Sequence, residues 1–182
     1  MHIELAELLN DLNTYPSWTT GNEYPLQVRQ VGDYIEVFYT TSQGKTFTRA
    51  FPAKIELSNC LAFSLGLIKG EGANAKGKSN YRRFHFTNAN PMLISHVLRN
   101  LEKSGLLEIS SIKAGAFHLL HFKDKESAVV TWWAKQLSLS PNYFRCFESE
   151  KRTTSKGVCH LYISDVLLRR VVDALIDFVM KT

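Results

Sequence analysis

Apolar positions recur in several rhythms along this chain, and each rhythm predicts a different element. Ile3, Leu5, Ala6, Leu8, Leu9 and Leu12 fall at helical spacing, which predicts a helix over residues 3 to 12. Asn13, Pro16 and Gly21 break that pattern. Leu26–Val31, Tyr34–Thr41 and Thr46–Phe51 read as strands, punctuated by Gly32-Asp33 and Ser42-Gln43-Gly44, so an antiparallel meander is expected. Pro52 then begins a short link.

From Ser58 the order changes to helix and strand units. Ser58 is placed to cap a helix that runs to about Ile68. The stretch 72–80 is rich in Gly, Asn and Lys and reads as a loop, after which Tyr81–Thr87 alternates like a strand. Asn90-Pro91 has the form of a helix start, with the cap followed by proline in the first turn. Leu93, Ile94, Val97, Leu98 and Leu101 make one face of that helix, and Gly105 follows its end. Leu106–Ile112 and Phe117–Phe122 predict a second hairpin turning near Ala114-Gly115.

The order then repeats. Ala128–Leu137 reads as a helix, Tyr143–Glu148 and Val158–Ser164 as paired strands around a basic turn, and Val166–Val179 as an amphipathic helix capped by Ser164 or Asp165. His85-Phe86-Thr87-Asn88 parallels Tyr162-Ile163-Ser164-Asp165, each leading into a helix. This is a weak internal duplication, with sub-repeats at about 57–123 and 126–182. The expected class is α+β, with residues 1–55 as a helix-plus-meander extension of a domain spanning 56–182.

Composition adds limits. A length of 182 residues fits one domain, or one domain with an extension, and 45% hydrophobic residues support a real core. The net charge of +5 and a pI near 9.1 point to an anionic partner without naming it. No apolar run is long enough to span a membrane, and the N-terminus lacks a signal-peptide pattern, so the expectation is a cytoplasmic protein with no membrane partner. The three cysteines, Cys60, Cys146 and Cys159, form no disulfide framework. Cys146 and Cys159 read as small core residues in preference to a disulfide or a metal pair. The six histidines show no metal-ligand spacing; His118 and His121 read as half-buried strand residues.

The stretch Ser64-Leu-Gly-Leu-Ile-Lys-Gly-Glu-Gly72 carries the most chemistry. Gly66 and Gly70 lie four apart in an apolar run, a spacing that lets a second helix approach closely. Glu71 ends the run, and two such ends side by side make a metal site. The bland reading of Glu71 is a solvated acid at a helix C-terminus, which the helix dipole slightly disfavours.

This stretch resembles the LAGLIDADG motif of homing endonucleases, with Gly66, Leu67, Ile68 and Gly72 matching, Gly70 at a small-residue position and Glu71 at the metal-binding carboxylate; Lys69 departs from the acidic letter of the motif. Arg82-Arg83-Phe84-His85-Phe86-Thr87-Asn88-Ala89-Asn90-Pro91 is similar to the second strand and helix start of archaeal-type members. The resemblance implies an αββαββα fold whose motif helices meet at a pseudo-twofold axis and whose strands form a saddle on double-stranded DNA. It implies that Glu71 binds Mg²⁺ for phosphodiester hydrolysis, and that Lys113 is the extra basic residue near the scissile phosphate. The family needs two carboxylates, yet Trp132–Ser140, the equivalent stretch of the second sub-repeat, has no Asp or Glu. Three readings therefore stand. One is a site-specific endonuclease acting as a homodimer through the motif helix. Another is a DNA-binding regulatory protein that does not cleave. The third comes from Gly72–Ser79, which fits G-x-x-x-x-G-K-[ST] and would make a P-loop NTPase if a buried strand preceded it and a helix followed.

Strand alternation selects the DNA-facing residues. If Phe84 and Phe86 face the helices, then Tyr81, Arg83, His85 and Thr87 face outward, with Lys76, Lys78 and Asn80 in the preceding loop. In the second sub-repeat His160 and Tyr162 face outward, flanked by Arg145, Lys151, Arg152 and Lys156. Such residues neutralise phosphates and read base edges. The alternative for each is an ordinary solvated sheet face.

Overall fold

The computed structural model describes residues 1–9, 24–71, 83–149 and 154–181. The chain opens on a strand, not a helix. β1 (His2–Glu4) pairs antiparallel with β5 (Lys54–Glu56), and helix α1 covers Leu5–Leu9. Ile3 and Leu5 are spaced two apart, so they fit a strand as well as a helix, and pairing opposite Ile55 buries Ile3.

The meander forms as expected. β2 (Gln27–Val31), β3 (Tyr34–Thr40) and β4 (Thr46–Pro52) make an antiparallel three-stranded sheet in that order. Ile35, Val37 and Phe51 point from one face into the core. Arg49 fixes this sheet to the rest of the chain. It pairs with Asp165, donates from Nη2 to the Leu106 carbonyl at 2.9 Å and lies over the Phe51 ring. The extension and the remainder share one hydrophobic core.

α2 spans Asn59–Glu71, three residues past Ile68, and Ser58 Oγ caps it by accepting from the Leu61 amide at 3.1 Å. β6 (Phe84–Asn88) leads to α3 (Pro91–Lys103), whose N-cap Asn90 accepts from the Met92 amide at 2.9 Å. α3 closes with the Leu106 amide on the Leu101 carbonyl and the Gly105 amide on the Glu102 carbonyl, the paired bonds of a Schellman ending. That ending turns Leu106 and Leu107 back into the core. Leu106–Ile112 is therefore an irregular connection that buries Leu106, Leu107 and Ile112 around a short 3-10 turn at Ile109–Ser111, and the expected hairpin with Phe117–Phe122 does not form.

β7 (Phe117–Leu120), α4 (Glu126–Leu137), β8 (Phe144–Cys146), β9 (Val158–Ile163) and α5 (Val166–Lys181) complete the chain. Asp165 caps α5 by accepting from the Leu168 amide at 2.9 Å. The second sheet has the order β6-β9-β7-β8. β8 and β9 do not form the expected hairpin: β8 runs parallel to β7, and β9 sits between β6 and β7, antiparallel to both. In that place Leu161 meets Phe86 on one side and Phe117 on the other, more apolar contact than three-residue β8 offers. Cys146 and Cys159 pair with Leu119 from opposite sides, and both thiols are free.

Helices cover one face of this sheet. α2 packs on α3, α5 and β6, while α4 packs on α3 and β8. The architecture is α+β. Among the described residues no helix is long and apolar enough to cross a membrane.

Candidate nucleic-acid interface

Alternation along four strands creates the second face of this sheet. Phe84, Phe86, Phe117, Leu119, Phe144, Cys159 and Leu161 point to the helices and are buried. Their neighbours point the other way. One row crosses all four strands in register: Thr87 on β6, His160 on β9, His118 on β7 and Arg145 on β8. His85 and Tyr162, paired across β6 and β9, form the next row. The predicted outward residues His85, Thr87, Arg145, His160 and Tyr162 thus share one surface. Arg83 is exposed just ahead of β6.

The rings on this face lie against one another, some stacked and some tilted. Tyr162 lies between His85, 4.4 Å away and nearly parallel, and His118, 4.7 Å away. Phe147, 41% exposed, continues the column at 4.5 Å from His118. Polar atoms converge at the other end. Thr87 Oγ1 lies 2.8 Å from His85 Nε2 and 3.1 Å from His160 Nδ1, and those two ring nitrogens are 3.4 Å apart. Arg145 can lie over the turn before β7 because residue 115 is glycine: a Cβ there would sit 2.1 Å from Arg145 Nε. His118 and Phe147 share this surface but were not selected from sequence: the place of His118 depends on β9 pairing with β7, and that of Phe147 on β8 pairing with β7.

The three histidines are shifted toward their neutral form. Burial pushes the His85 imidazole down to about 4, helped by His160, Arg169 and His118. His118 is lowered by burial and by Arg145, and His160 by burial and by His121. Burial raises the Tyr162 phenol. A folded-state histidine below its unfolded value near 6.5 stabilises the fold fully above that pH, and the contribution is lost as pH falls toward the folded value. Stability to urea is therefore expected to drop between about pH 6.5 and 4. His85 should account for roughly 1–2 kcal/mol of the drop after allowance for its partial solvent screening. A His85→Gln variant should show a shallower acid slope in the urea midpoint.

The remaining predicted residues fall elsewhere. Lys156 is tied to Asp124 at 2.6 Å, away from the histidine row, so its ammonium already has a counter-ion. Lys113 is exposed in the turn before β7. Glu71 is the exposed last residue of α2. Gly66 and Gly70 lie on its outer stripe, where an added Cβ meets nothing within 4 Å, and Phe63 on the same stripe is 54% exposed. The Trp132–Ser140 stretch does not cover this stripe, since α4 packs on α3 and β8. Lys76, Lys78, Asn80, Tyr81, Lys151 and Arg152 lie outside the described residues, as does the 72–79 stretch. That stretch follows helix α2, not the buried strand a P-loop needs, which counts against nucleotide binding there.

A carboxylate oxygen suits Mg²⁺. Among the described residues, however, no group of three His, Cys, Asp or Glu side chains is arranged to hold a metal ion, so Glu71 of one chain is a single donor and not a site. The chain matches no family model, no curated protein and no solved structure.

Proposed function

We propose that this protein binds double-stranded DNA across the open face of the β6-β9-β7-β8 sheet and, as a homodimer joined along α2, cleaves it as a LAGLIDADG-type endonuclease. The observation that carries the binding half is the Thr87–His160–His118–Arg145 row, a continuous polar and aromatic surface on a chain of net charge +5. On this face imidazole nitrogens and a phenol could meet base edges, while Arg83 and Arg145 meet phosphates.

The uncovered glycine stripe supports the pairing. Two copies of α2 packed along Gly66 and Gly70 would bring two Glu71 carboxylates together. The pair would hold Mg²⁺, which supplies charge neutralisation and an activated water. The chain's own part is to bind the duplex, orient it across the sheet and supply the two acids. A second reading, DNA binding without cleavage, is favoured by the lone carboxylate at the end of α2 in a single chain.

Purified protein should bind duplex DNA with an affinity that falls roughly 10²–10³-fold between about 50 and 200 mM salt, as expected for about five phosphate contacts. With Mg²⁺ it should cut members of a randomised target library. Binding without any cutting, in a protein that stays monomeric, would leave the second reading. Gly66→Ala separates the two. Nothing among the described residues opposes the methyl, so the monomer should gain about 0.5–1 kcal/mol from better helix propensity. The homodimer, seen by sedimentation, should weaken because the two helices can no longer approach as closely.

A further inference from the structure

We propose that duplex binding at this face takes up protons on His85, His118 and His160, so that mild acid tightens the complex. The inference rests on the DNA-binding reading and adds a control to it. The three imidazoles form one cluster on three adjacent strands, with His85 Nε2 3.4 Å from His160 Nδ1 and the Tyr162 ring between His85 and His118.

The charged surroundings of this cluster are one-sided. Arg83 faces it from ahead of β6, Arg145 from β8 and Arg169 from the first turns of α5; His121, after β7, adds a fourth imidazole beside His160. Asp173, the acid of α5 on this side, is engaged by Arg169 at 2.9 Å. Asp124, Glu126 and Glu148 line the cleft beside His121, and Asp124 is held by Lys156. In the free protein, then, each added proton meets arginines and other imidazoles before it meets a carboxylate.

A phosphate backbone laid across the face reverses that balance. Its negative charges would stand where the described residues of the free protein present arginines and imidazoles, and the ring nitrogens that now share Thr87 Oγ1 become donors to phosphate oxygens or base acceptors. Imidazolium is favoured in the complex and disfavoured without it. Binding and protonation are therefore coupled, and each proton taken up makes affinity change tenfold per pH unit at most.

The test is duplex affinity by fluorescence anisotropy at constant ionic strength, from about pH 8 to about pH 6, a range that lies above the lowered His85 value of about 4. Wild type should bind roughly tenfold or more tightly at the lower pH. The variant His85→Gln/His118→Gln/His160→Gln, checked for native circular dichroism, should lose most of that gain. A measurement on wild type alone runs in parallel: imidazole NMR titrations should show the three pKa values rising when DNA is added. Binding that is flat with pH, a gain retained by the triple variant, or imidazole titrations unmoved by DNA overturns the coupling while leaving DNA binding intact. No binding at any pH overturns both.

Discussion

Glu71→Gln is expected to cut Mg²⁺-dependent cleavage by orders of magnitude while leaving duplex affinity within about twofold of wild type. Glu71 ends α2 and is exposed, so its removal disturbs no core contact. The neutral amide also relieves an acid at the negative end of the helix dipole, so the melting temperature should hold or rise slightly. In the proposed reading affinity resides on a different surface, the open sheet face, where Arg83 and Arg145 would meet phosphate. Activity should fall roughly 10²–10⁴-fold, the several kcal/mol of transition-state stabilisation that a bound cation supplies. Mixing wild type with the variant adds a stoichiometric reading. If each active centre needs two Glu71 side chains, mixed dimers carry half of the acid set, and activity should fall faster than the wild-type fraction. Equal affinity together with unchanged cleavage would remove Glu71 from any catalytic role. Arg145→Ala is the complementary control: it should weaken binding and lower the salt slope by about one, with Glu71 untouched.

Much of the fold was legible because local signals and tertiary structure agree. The meander followed from alternation and turn residues, and β2, β3 and β4 lie within a residue or two of the expected runs. Ser58, Asn90 and Asp165 act as the caps their positions suggested. Alternation also set His85, Thr87, His160 and Tyr162 on the face opposite Phe84, Phe86 and Leu161.

What was not legible is non-local. Short apolar runs do not name their partner: Tyr143–Glu148 looked like the mate of Val158–Ser164, yet β8 joins β7 and β9 is taken by β6 and β7. Leu106–Ile112 has the composition of a strand, but the Schellman bonds of α3 decide its path. His118 and Phe147 were missed on the open face for the same reason, since the β7–β9 pairing puts His118 beside Tyr162 and the β7–β8 pairing brings Arg145 and Phe147 to it. β6 and β9, the strands that the expected duplication matched, pair antiparallel about His85 and Tyr162, and each runs into a helix. α4 takes a different place from α2, which is why the glycine stripe finds no twin within the chain.

The turn that feeds β9 governs both stability and the interface, and Gly157→Ala is expected to damage both. Gly157 has φ +72°, and a Cβ there would sit 2.2 Å from the Leu120 carbonyl oxygen and 3.0 Å from Phe122. The left-handed conformation costs an alanine on the order of 1 kcal/mol, and the clash is with backbone at the end of β7, so a strand must move. The combined loss should be about 3 kcal/mol or more by urea denaturation. The preceding residue anchors the same turn from inside: Trp133, fully buried, donates its indole N–H to the Lys156 carbonyl at 2.8 Å. Trp133→Phe keeps most of the apolar volume and strands that carbonyl, costing about 1–3 kcal/mol, while Trp133→Ala adds a cavity and should cost about 3–5 kcal/mol. The two sites act through one turn, so Gly157→Ala/Trp133→Phe should lose less than the sum of the single variants. Val158–Ile163 carries His160 and Tyr162 directly out of this turn. Gly157→Ala should therefore weaken duplex binding although residue 157 is buried and offers no side chain to a ligand, and the loss should persist under conditions where circular dichroism still reports a folded protein. Native affinity in a folded Gly157→Ala protein would show that the strand shift is absorbed before it reaches the histidine row.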